Sequence, residues 1–241
     1  MSATRSEGET VLALVSPAAL AADAESVRIA RDVLGASSQL KLAICRDPAD
    51  LGRALERRGR RRAVVIGDDR FLQLVVQLLY QQTTLAAAPV GVVPVGRSAD
   101  LTVSRTLGVP AGAAEAARSA ARGPGRAVDL LVDDTGAVAL GGVRCSPRAN
   151  SASGGWWTRW ISRAEACRLG VELDGRPLAP VKGLAVSPGV GGLADVLLPG
   201  QVRARAQRVR VIGPFTWQGL MPGPVVPERT WEVLPGALTL A

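Results

Sequence analysis

The sequence predicts an α/β domain with a Rossmann-like parallel sheet, joined to an all-β domain with an antiparallel β-sandwich. The chain has 241 residues, of which 47% are apolar and 21% charged, so it can bury one large core or two small ones. In its first half, short apolar runs alternate with segments of helical periodicity, which is typical of a parallel sheet covered on both faces. Beyond about residue 127, short strand-like pieces are separated by Gly and Pro, which favours antiparallel strands in a sandwich or barrel.

The first half is predicted to contain four strands and five helical segments. The first of these strands is a short, continuous apolar run, as expected when both faces of a sheet are covered. The strands are placed at 11–15, 40–44, 63–66 and 90–93. The helices are placed at 23–34, 50–60, 71–80, 101–107 and 113–121, and Gly35 is expected to end the first of them. The strongest helical signal is the spacing i, i+3, i+4, i+7 of Leu72, Val75, Val76 and Leu79.

The second half is predicted to be rich in strands, with one short helix at 162–169. Strands are placed at 129–132, 137–140, 183–186, 194–198, 201–212 and 230–234. Arginines alternate with small or apolar residues along 202–211, but the alternation slips between Arg205 and Arg208, which predicts an edge strand with a bulge. The predicted domains are therefore 1–127, completed by a C-terminal strand at 226–241, and 128–225.

The composition excludes several kinds of chemistry. Because the chain has no histidine, it has no Ser-His-Asp or Cys-His pair and no histidine metal ligand. Three scattered cysteines without a C-x-x-C motif argue against a disulfide framework or a zinc site. The net charge is +8, yet Lys41 and Lys182 are the only lysines, so the arginine excess partly reflects coding bias. The charge alone fits a nucleic acid, an anionic membrane surface and a phosphate-bearing ligand equally well. A nucleic-acid partner is nevertheless the least favoured interpretation.

Neither a signal peptide nor a membrane span is predicted. The uncharged stretch 71–96 is interrupted by glutamine, threonine and proline too often to cross a bilayer. We therefore expect a cytoplasmic protein, with peripheral contact at a membrane left open. Trp156, Trp157 and Trp160 form an unusual cluster, for which packing against the second domain and insertion at a lipid interface are both open.

Three turns at the predicted carboxyl ends of the parallel strands contain the candidate binding residues. In doubly wound sheets, ligands bind at this edge, where helix N-termini present free N–H groups to anions. The turns supply Ser16 after the first strand, Gly67, Asp68, Asp69 and Arg70 after the third, and Gly96, Arg97 and Ser98 after the fourth. These side chains have two interpretations at this stage, a phosphate site or simple helix caps and turn residues.

The order and spacing of these turns resemble the diacylglycerol kinases and related lipid kinases. The segment Val65–Val76 is similar to their G-G-D-G-T-L-N-E-V-V segment, and Val90–Pro110 to their G-I-I-P-L-G-T-x-N-D-F-A-R-x-L-G-I-P segment. Ser16-Pro17 stands where that family has Asn-Pro, and Pro235–Leu238 resembles its closing P-G-A-L strand. The resemblance covers most of the chain and matches the two-part architecture.

This resemblance implies a nucleotide-binding α/β domain and a β-rich second domain, with ATP and substrate between them. The implied reaction is ATP-dependent transfer of a phosphoryl group to a lipid hydroxyl, with Mg²⁺ stabilising the developing charge. Asp69 is the residue that the resemblance assigns to the phosphate or the metal, and Arg70 and Arg97 are candidate phosphate clamps. The implied partners are a lipid substrate or an anionic membrane surface.

The departures from the family pattern concern the same turns. Asp68 and Arg70 replace glycines of G-G-D-G-T, and Phe71 replaces the threonine, so backbone approach to a phosphate is hindered and a hydroxyl is lost. Trp217–Leu220 stands where the family has an acidic D-G-E turn, whose glutamate is thought to be the base. These losses leave two hypotheses: an active lipid kinase with an altered loop, or a non-catalytic, pseudokinase-like relative that binds a nucleotide or lipid.

Overall fold

The computed structural model describes residues 10–85, 89–148 and 168–241. The chain divides into two compact units, Met1–Val128 with Ala237–Ala241 and Asp129–Gly236. The predicted helix at 162–169 and the Trp156, Trp157 and Trp160 cluster fall almost wholly outside the described residues. No helix in the described ranges is long and apolar enough to cross a bilayer.

The first unit is built on a parallel sheet. Its strands are β1 (Thr10–Val15), β2 (Gln39–Ile44), β3 (Arg62–Gly67) and β4 (Val90–Pro94). They lie in the order β2-β1-β3-β4, and all three neighbouring pairs are parallel. Its helices are α1 (Pro17–Ala22), α2 (Ala24–Ser37), α3 (Pro48–Glu56), α4 (Asp69–Gln81), α5 (Thr102–Thr106) and α6 (Ala113–Arg122). The chain moves outward from β1 to β2 and then returns to the other side of β1, so the strand order reverses between β1 and β3.

Strands β1, β3 and β4 are buried on both faces, as their apolar runs predict, whereas the edge strand β2 is largely exposed. On one face, Val11, Ala13 and Val15 of β1 share a core with residues of α2 and α6. The alternate residues Leu12 and Leu14 point to the opposite face and are also buried. Because every residue from Val11 to Val15 is covered, the strand reads as an uninterrupted hydrophobic run rather than an alternating one.

The predicted end of one helix in this unit is wrong, and one helix was missed. Helix α2 does not end at Gly35 but continues to Ser37, and Ser38 caps it by donating its N–H to the Leu34 carbonyl. A glycine inside a helix costs only about 1 kcal/mol, which burial of the apolar face of α2 outweighs. Helix α1 was not predicted at all, because its six residues are too few to show a periodicity.

The second unit is an antiparallel sheet. Its strands are β5 (Arg126–Asp133), β6 (Val138–Ala139), β7 (Val143–Pro147), β8 (Gly170–Leu173), β9 (Arg176–Pro177), β10 (Leu184–Pro188), β11 (Ala194–Leu198), β12 (Val202–Ala206), β13 (Arg208–Gln218) and β14 (Val226–Leu240). The main order is β12-β11-β10-β7-β13-β14. Strands β5 and β14 begin in one unit and end in the other, so the predicted C-terminal strand at 226–241 is divided between them.

The strands of this unit form one curled sheet, and the predicted sandwich is not confirmed. Ala194 and Ala206 at one end of the strand order share a core with Val209 and Trp231 near the other end. A sheet whose distant strands share one core must curl around it. The predicted bulge between Arg205 and Arg208 is wrong, because the alternation slips where β12 ends at Ala206 and β13 begins at Arg208.

Candidate functional site

The candidate site lies at the carboxyl edge of the parallel sheet, where β1 and β3 end side by side. The backbone N–H of Ser16 donates to the carbonyl of Ile66 at 3.0 Å, which joins the two strand ends. The Ser16 hydroxyl accepts the N–H of Ala18 at 3.2 Å and caps α1, and Ser16 is buried. This is the position at which the strand order reverses, the usual location of a ligand crevice in such sheets.

Gly67 ends β3 at this position, and its surroundings leave no room for a side chain. A Cβ atom on Gly67 would lie 2.8 Å from Cδ1 of Phe71 and 3.0 Å from Cβ of Ser16. Phe71 belongs to the first turn of α4 and is itself buried. The aromatic ring therefore lies against the glycine that the resemblance assigns to phosphate approach. The side chains of Phe71 and Ser16 occupy the space that a glycine would otherwise leave open to a ligand.

Asp68 is the N-cap of α4 and lies beside the turn after β4. Its Oδ1 accepts the N–H of Phe71 at 2.9 Å. A Cβ atom on Gly96 would lie 3.3 Å from Cβ of Asp68, so the turns after β3 and β4 are in contact. The structure thus brings the three predicted turns next to one another, with Asp68 in a capping role.

The carboxylate of Asp69 points into the protein. Asp69 is 1% exposed, and its Oδ2 accepts the N–H of Val103 at 2.6 Å. Its Oδ1 accepts the N–H and the hydroxyl of Ser104, at 2.9 Å and 2.5 Å. Since Val103 and Ser104 lie in the first turn of α5, Asp69 supplies the cap that α5 lacks on its own N-cap residue, Leu101. A negative charge is also favourable at this end of a helix.

The two candidate arginines are exposed, and one of them is neutralised. Arg97 forms an ion pair with Asp100 at 2.8 Å, and this hydrogen bond raises the pKa of the guanidinium. Its side chain is 84% exposed, so the pair is solvated and contributes little to stability. Arg70 is exposed on the first turn of α4. Ser98 is exposed, and its carbonyl accepts a hydrogen bond from the Arg105 side chain.

These residues do not fit Mg²⁺ with a triphosphate. Within the described ranges, no three His, Cys, Asp or Glu side chains come together in a group that could hold a metal ion. Asp69 already accepts three hydrogen bonds, Asp68 is a helix cap, and Phe71 fills the space over Gly67. The turn after β4 adds Arg97, whose charge the carboxylate of Asp100 already balances. The assignment of Asp69 to a metal ion stays a prediction from the resemblance, and the geometry gives this carboxylate a structural partner instead.

The segment at the position of the family's acidic turn is occupied by aromatic packing. Trp217 lies at the end of β13, with its ring centroid 6.4 Å from that of Trp231 in an edge-to-face arrangement. A Cβ atom on Gly223 would come within 1.9 Å of the Trp217 ring, so the chain after Gly219 folds closely over it. No carboxylate occurs in Trp217–Leu220.

The sequence did not identify Ser104 as a partner of the candidate site. Its hydroxyl and N–H both bind Asp69, although 35 residues separate the two. The available signal was Ser104 itself, a hydroxyl residue in the first turn of a predicted helix whose own N-cap position is the apolar Leu101. The free N–H groups of such a helix start must bind either water or an acceptor from elsewhere in the chain.

Comparison with known proteins identifies solved structures with a similar fold. No protein-family model matches the chain, and no curated protein matches it in sequence. Among solved structures, a diacylglycerol kinase from Bacillus anthracis str. Sterne matches with a TM-score of 0.72, 17% identity and coverage of 96% of each chain. Two further structures of a protein assigned as a diacylglycerol kinase, from the same strain, match with TM-scores of 0.73 and 0.74. Their identities are 18% and 16%, and the matches cover 96% and 100% of this chain and 96% and 97% of theirs. The comparison confirms the predicted resemblance at the level of the fold.

Proposed function

We propose that this chain, whose fold resembles that of diacylglycerol kinase structures, is a non-catalytic relative that binds an anionic lipid surface. The observation that carries the first part is the orientation of Asp69. The one acidic residue shared with the G-G-D-G-T segment is 1% exposed and caps α5 with three hydrogen bonds. A carboxylate held in this way has exchanged solvent for protein donors, and a metal ion would have to displace them.

Two further features support the absence of catalysis. The ring of Phe71 occupies the space over Gly67, so a phosphate cannot approach the backbone there as closely as at an open glycine turn. Trp217–Leu220 offers no carboxylate to accept a proton from a lipid hydroxyl. The other hypothesis, ATP-dependent transfer to a lipid hydroxyl through an altered loop, is the outcome that would replace this proposal.

The proposal predicts no phosphoryl transfer. With radiolabelled Mg-ATP and diacylglycerol in mixed micelles, we expect no labelled lipid above the level of a protein-free blank. The same result is expected with a panel of other lipid alcohols. Transfer above the blank that is lost in Asp69→Asn but kept in Asp100→Asn would establish kinase activity and contradict the proposal. Circular dichroism at the assay temperature confirms that each variant is folded.

The outer face of the antiparallel sheet supports a lipid partner. The cross-strand register places Arg144, Ala185, Leu197 and Arg203 in one row across β7, β10, β11 and β12. The row is on the face opposite the core, because the alternate residues of these strands are the buried ones. Leu197 of this row is 43% exposed. Two shallow clefts of about 280 and 270 Å³ flank Ala185 and Leu197 on this face.

The charges of this row match an anionic surface. In the described part of the chain, neither Arg144 nor Arg203 has a carboxylate partner, whereas Arg208 and Arg210 of the same unit are paired with glutamates. Free cations beside exposed aliphatic side chains are the combination that binds anionic lipid headgroups while the aliphatic groups reach the acyl boundary. We propose peripheral membrane contact through this face on that basis.

Removing the two free cations is expected to weaken binding to anionic vesicles. Each cation near an anionic bilayer contributes about 1 kcal/mol, so Arg144→Gln with Arg203→Gln should weaken binding roughly thirtyfold. Sedimentation with phosphatidylglycerol–phosphatidylcholine vesicles measures this binding. Arg28→Gln with Arg31→Gln removes the same charge from the exposed surface of α2 and should change binding much less. Equal losses in the two double variants, or equal binding to pure phosphatidylcholine, would contradict a lipid surface on this face.

A further inference from the structure

A separate cleft lies in the first unit between the edge strand β2 and helix α3. Its volume is about 350 Å³, within the range of small-molecule sites. Its floor is formed by small or apolar side chains, Ala43 from β2, Ala54 from α3 and Leu12 from β1. The two alanines leave the space open, because a longer side chain at either position would fill it. None of the candidate residues at the carboxyl edge lines this cleft.

Helix α3 turns a polar face toward the strand. The residues of α3 and its C-cap that line the cleft follow the spacing i, i+3, i+4, i+7 and form one side of the helix: Asp50, Arg53, Ala54 and Arg57. The buried residues Leu51 and Leu55 lie on another side of α3 and anchor it to the protein. A helix face next to a strand is ordinarily apolar, and here three of four positions are charged.

The cleft carries an excess of positive charge. Four cations line it, Lys41, Arg46, Arg53 and Arg57. The single carboxylate, that of Asp50, forms an ion pair with Arg53 at 2.6 Å and accepts the Arg46 N–H at 3.3 Å. The side chains of Lys41, Arg46 and Arg57 have no carboxylate partner among the described residues. Three cations on both walls of one cleft are therefore left for an anion from solution.

The thiol in this cleft does not compete with an anion. Cys45 is 4% exposed, and its burial, together with nearby Asp50 and Asp47, raises the pKa of the thiol to about 11. At neutral pH the group is therefore uncharged, like the rest of the floor. The cleft combines a neutral floor with positive walls.

We infer that this cleft binds a small organic phosphate, with the phosphate on Lys41, Arg46 and Arg57 and the carbon skeleton over Ala43 and Ala54. Guanidinium and ammonium groups form charge-assisted hydrogen bonds with phosphate oxygens. The small floor residues admit an apolar group beside them. The inference does not rest on the proposed function, because it concerns neither the carboxyl-edge turns nor the outer face of the antiparallel sheet.

The experiment titrates the full chain with phenyl phosphate and with inorganic pyrophosphate by isothermal titration calorimetry at low ionic strength. We expect phenyl phosphate to bind, and Lys41→Gln with Arg57→Gln to weaken it at least tenfold through the loss of charge-assisted hydrogen bonds. Ala54→Leu keeps every charge and fills the cleft, so it should weaken phenyl phosphate binding by a similar factor. Arg28→Gln with Arg31→Gln is the control for net charge and should bind like the wild type.

Three outcomes would overturn the inference. Absence of binding in the wild type would show that the cleft is only a solvated surface. Unchanged binding in Ala54→Leu, or an equal loss in the Arg28 and Arg31 control, would show attraction to net charge instead of a cleft. Thermal unfolding of each variant without ligand identifies any that fails to fold, and Ala43→Leu then replaces Ala54→Leu. Because no turnover is measured, failure here leaves the proposed function untouched.

Discussion

Asp69→Ala is expected to lower the free energy of unfolding by about 4 kcal/mol. The substitution leaves three buried donors without an acceptor, namely the N–H groups of Val103 and Ser104 and the hydroxyl of Ser104. Each unsatisfied buried donor costs about 1–3 kcal/mol, and water entering the vacated space recovers part of the total. The loss of the cap on α5 is included in this sum.

Urea unfolding followed by circular dichroism measures this loss. Asp100→Ala is the matched control, since its carboxylate forms a solvated ion pair with Arg97 and its removal should cost at most about 0.5 kcal/mol. Asp69→Asn should fall between them, because an amide offers one acceptor oxygen where the carboxylate offers two. A loss below about 1 kcal/mol for Asp69→Ala would mean that the carboxylate is not a structural cap. In that case the metal or phosphate role implied by the resemblance would return.

Trp231→Ala, in the second unit, is expected to lower the free energy of unfolding by about 4 kcal/mol. Trp231 is 1% exposed and packs against the rings of Phe215 and Trp217, with centroids 6.2 and 6.4 Å away. Replacing a buried tryptophan by alanine removes its transfer free energy and leaves a cavity, which together cost about 3–5 kcal/mol. Because the sheet curls around this core, the neighbouring strands cannot simply close the gap.

Urea unfolding followed by tryptophan fluorescence measures the effect. Val190→Ala provides the comparison, since Val190 is 79% exposed and its truncation should change stability by less than about 0.5 kcal/mol. Trp231→Phe keeps a ring in the core, so it should lower the free energy of unfolding by less than Trp231→Ala does. A cost near that of Val190→Ala would show that the curled sheet does not depend on its aromatic centre.

The strands of the first unit could be predicted because their physics is local. A buried parallel strand needs apolar residues on both faces, so β1 and β3 read as unbroken runs that end within a residue or two of their observed bounds. Helix α4 carries its own periodicity in Leu72, Val75, Val76 and Leu79. The prediction that the helix ends at Gly35 was wrong because it considered this residue alone and not the packing of the whole of α2.

The curl of the second sheet could not be predicted from its alternation. A period of two tells which residues share a face, and β13 indeed alternates exposed Arg208 with buried Val209. It does not tell whether that face meets a second sheet or curves onto itself. The same pattern fits both arrangements, and here Ala206 and Trp231 meet in one core.

The candidate residues were placed correctly at strand ends, but their bonding partners could not be predicted. Capping of α4 by Asp68 follows from a local spacing of three residues, and it was one of the two interpretations the sequence left open. Asp69 bonds to residues 34 and 35 positions away, which depends on where α5 lies in three dimensions. A shared motif residue can therefore keep its place in the sequence while its carboxylate serves the fold.

The division of β14 between the two units has a consequence for biosynthesis. Residues 237–241 belong to the first unit, where Leu240 pairs with Val90 and Ala241 donates to the Val90 carbonyl at 3.0 Å. A ribosome releases these residues only after it has translated the whole of the second unit. One side of β4 therefore stays unpaired until the second unit has been translated, and during that time this strand edge is open to pairing with other chains.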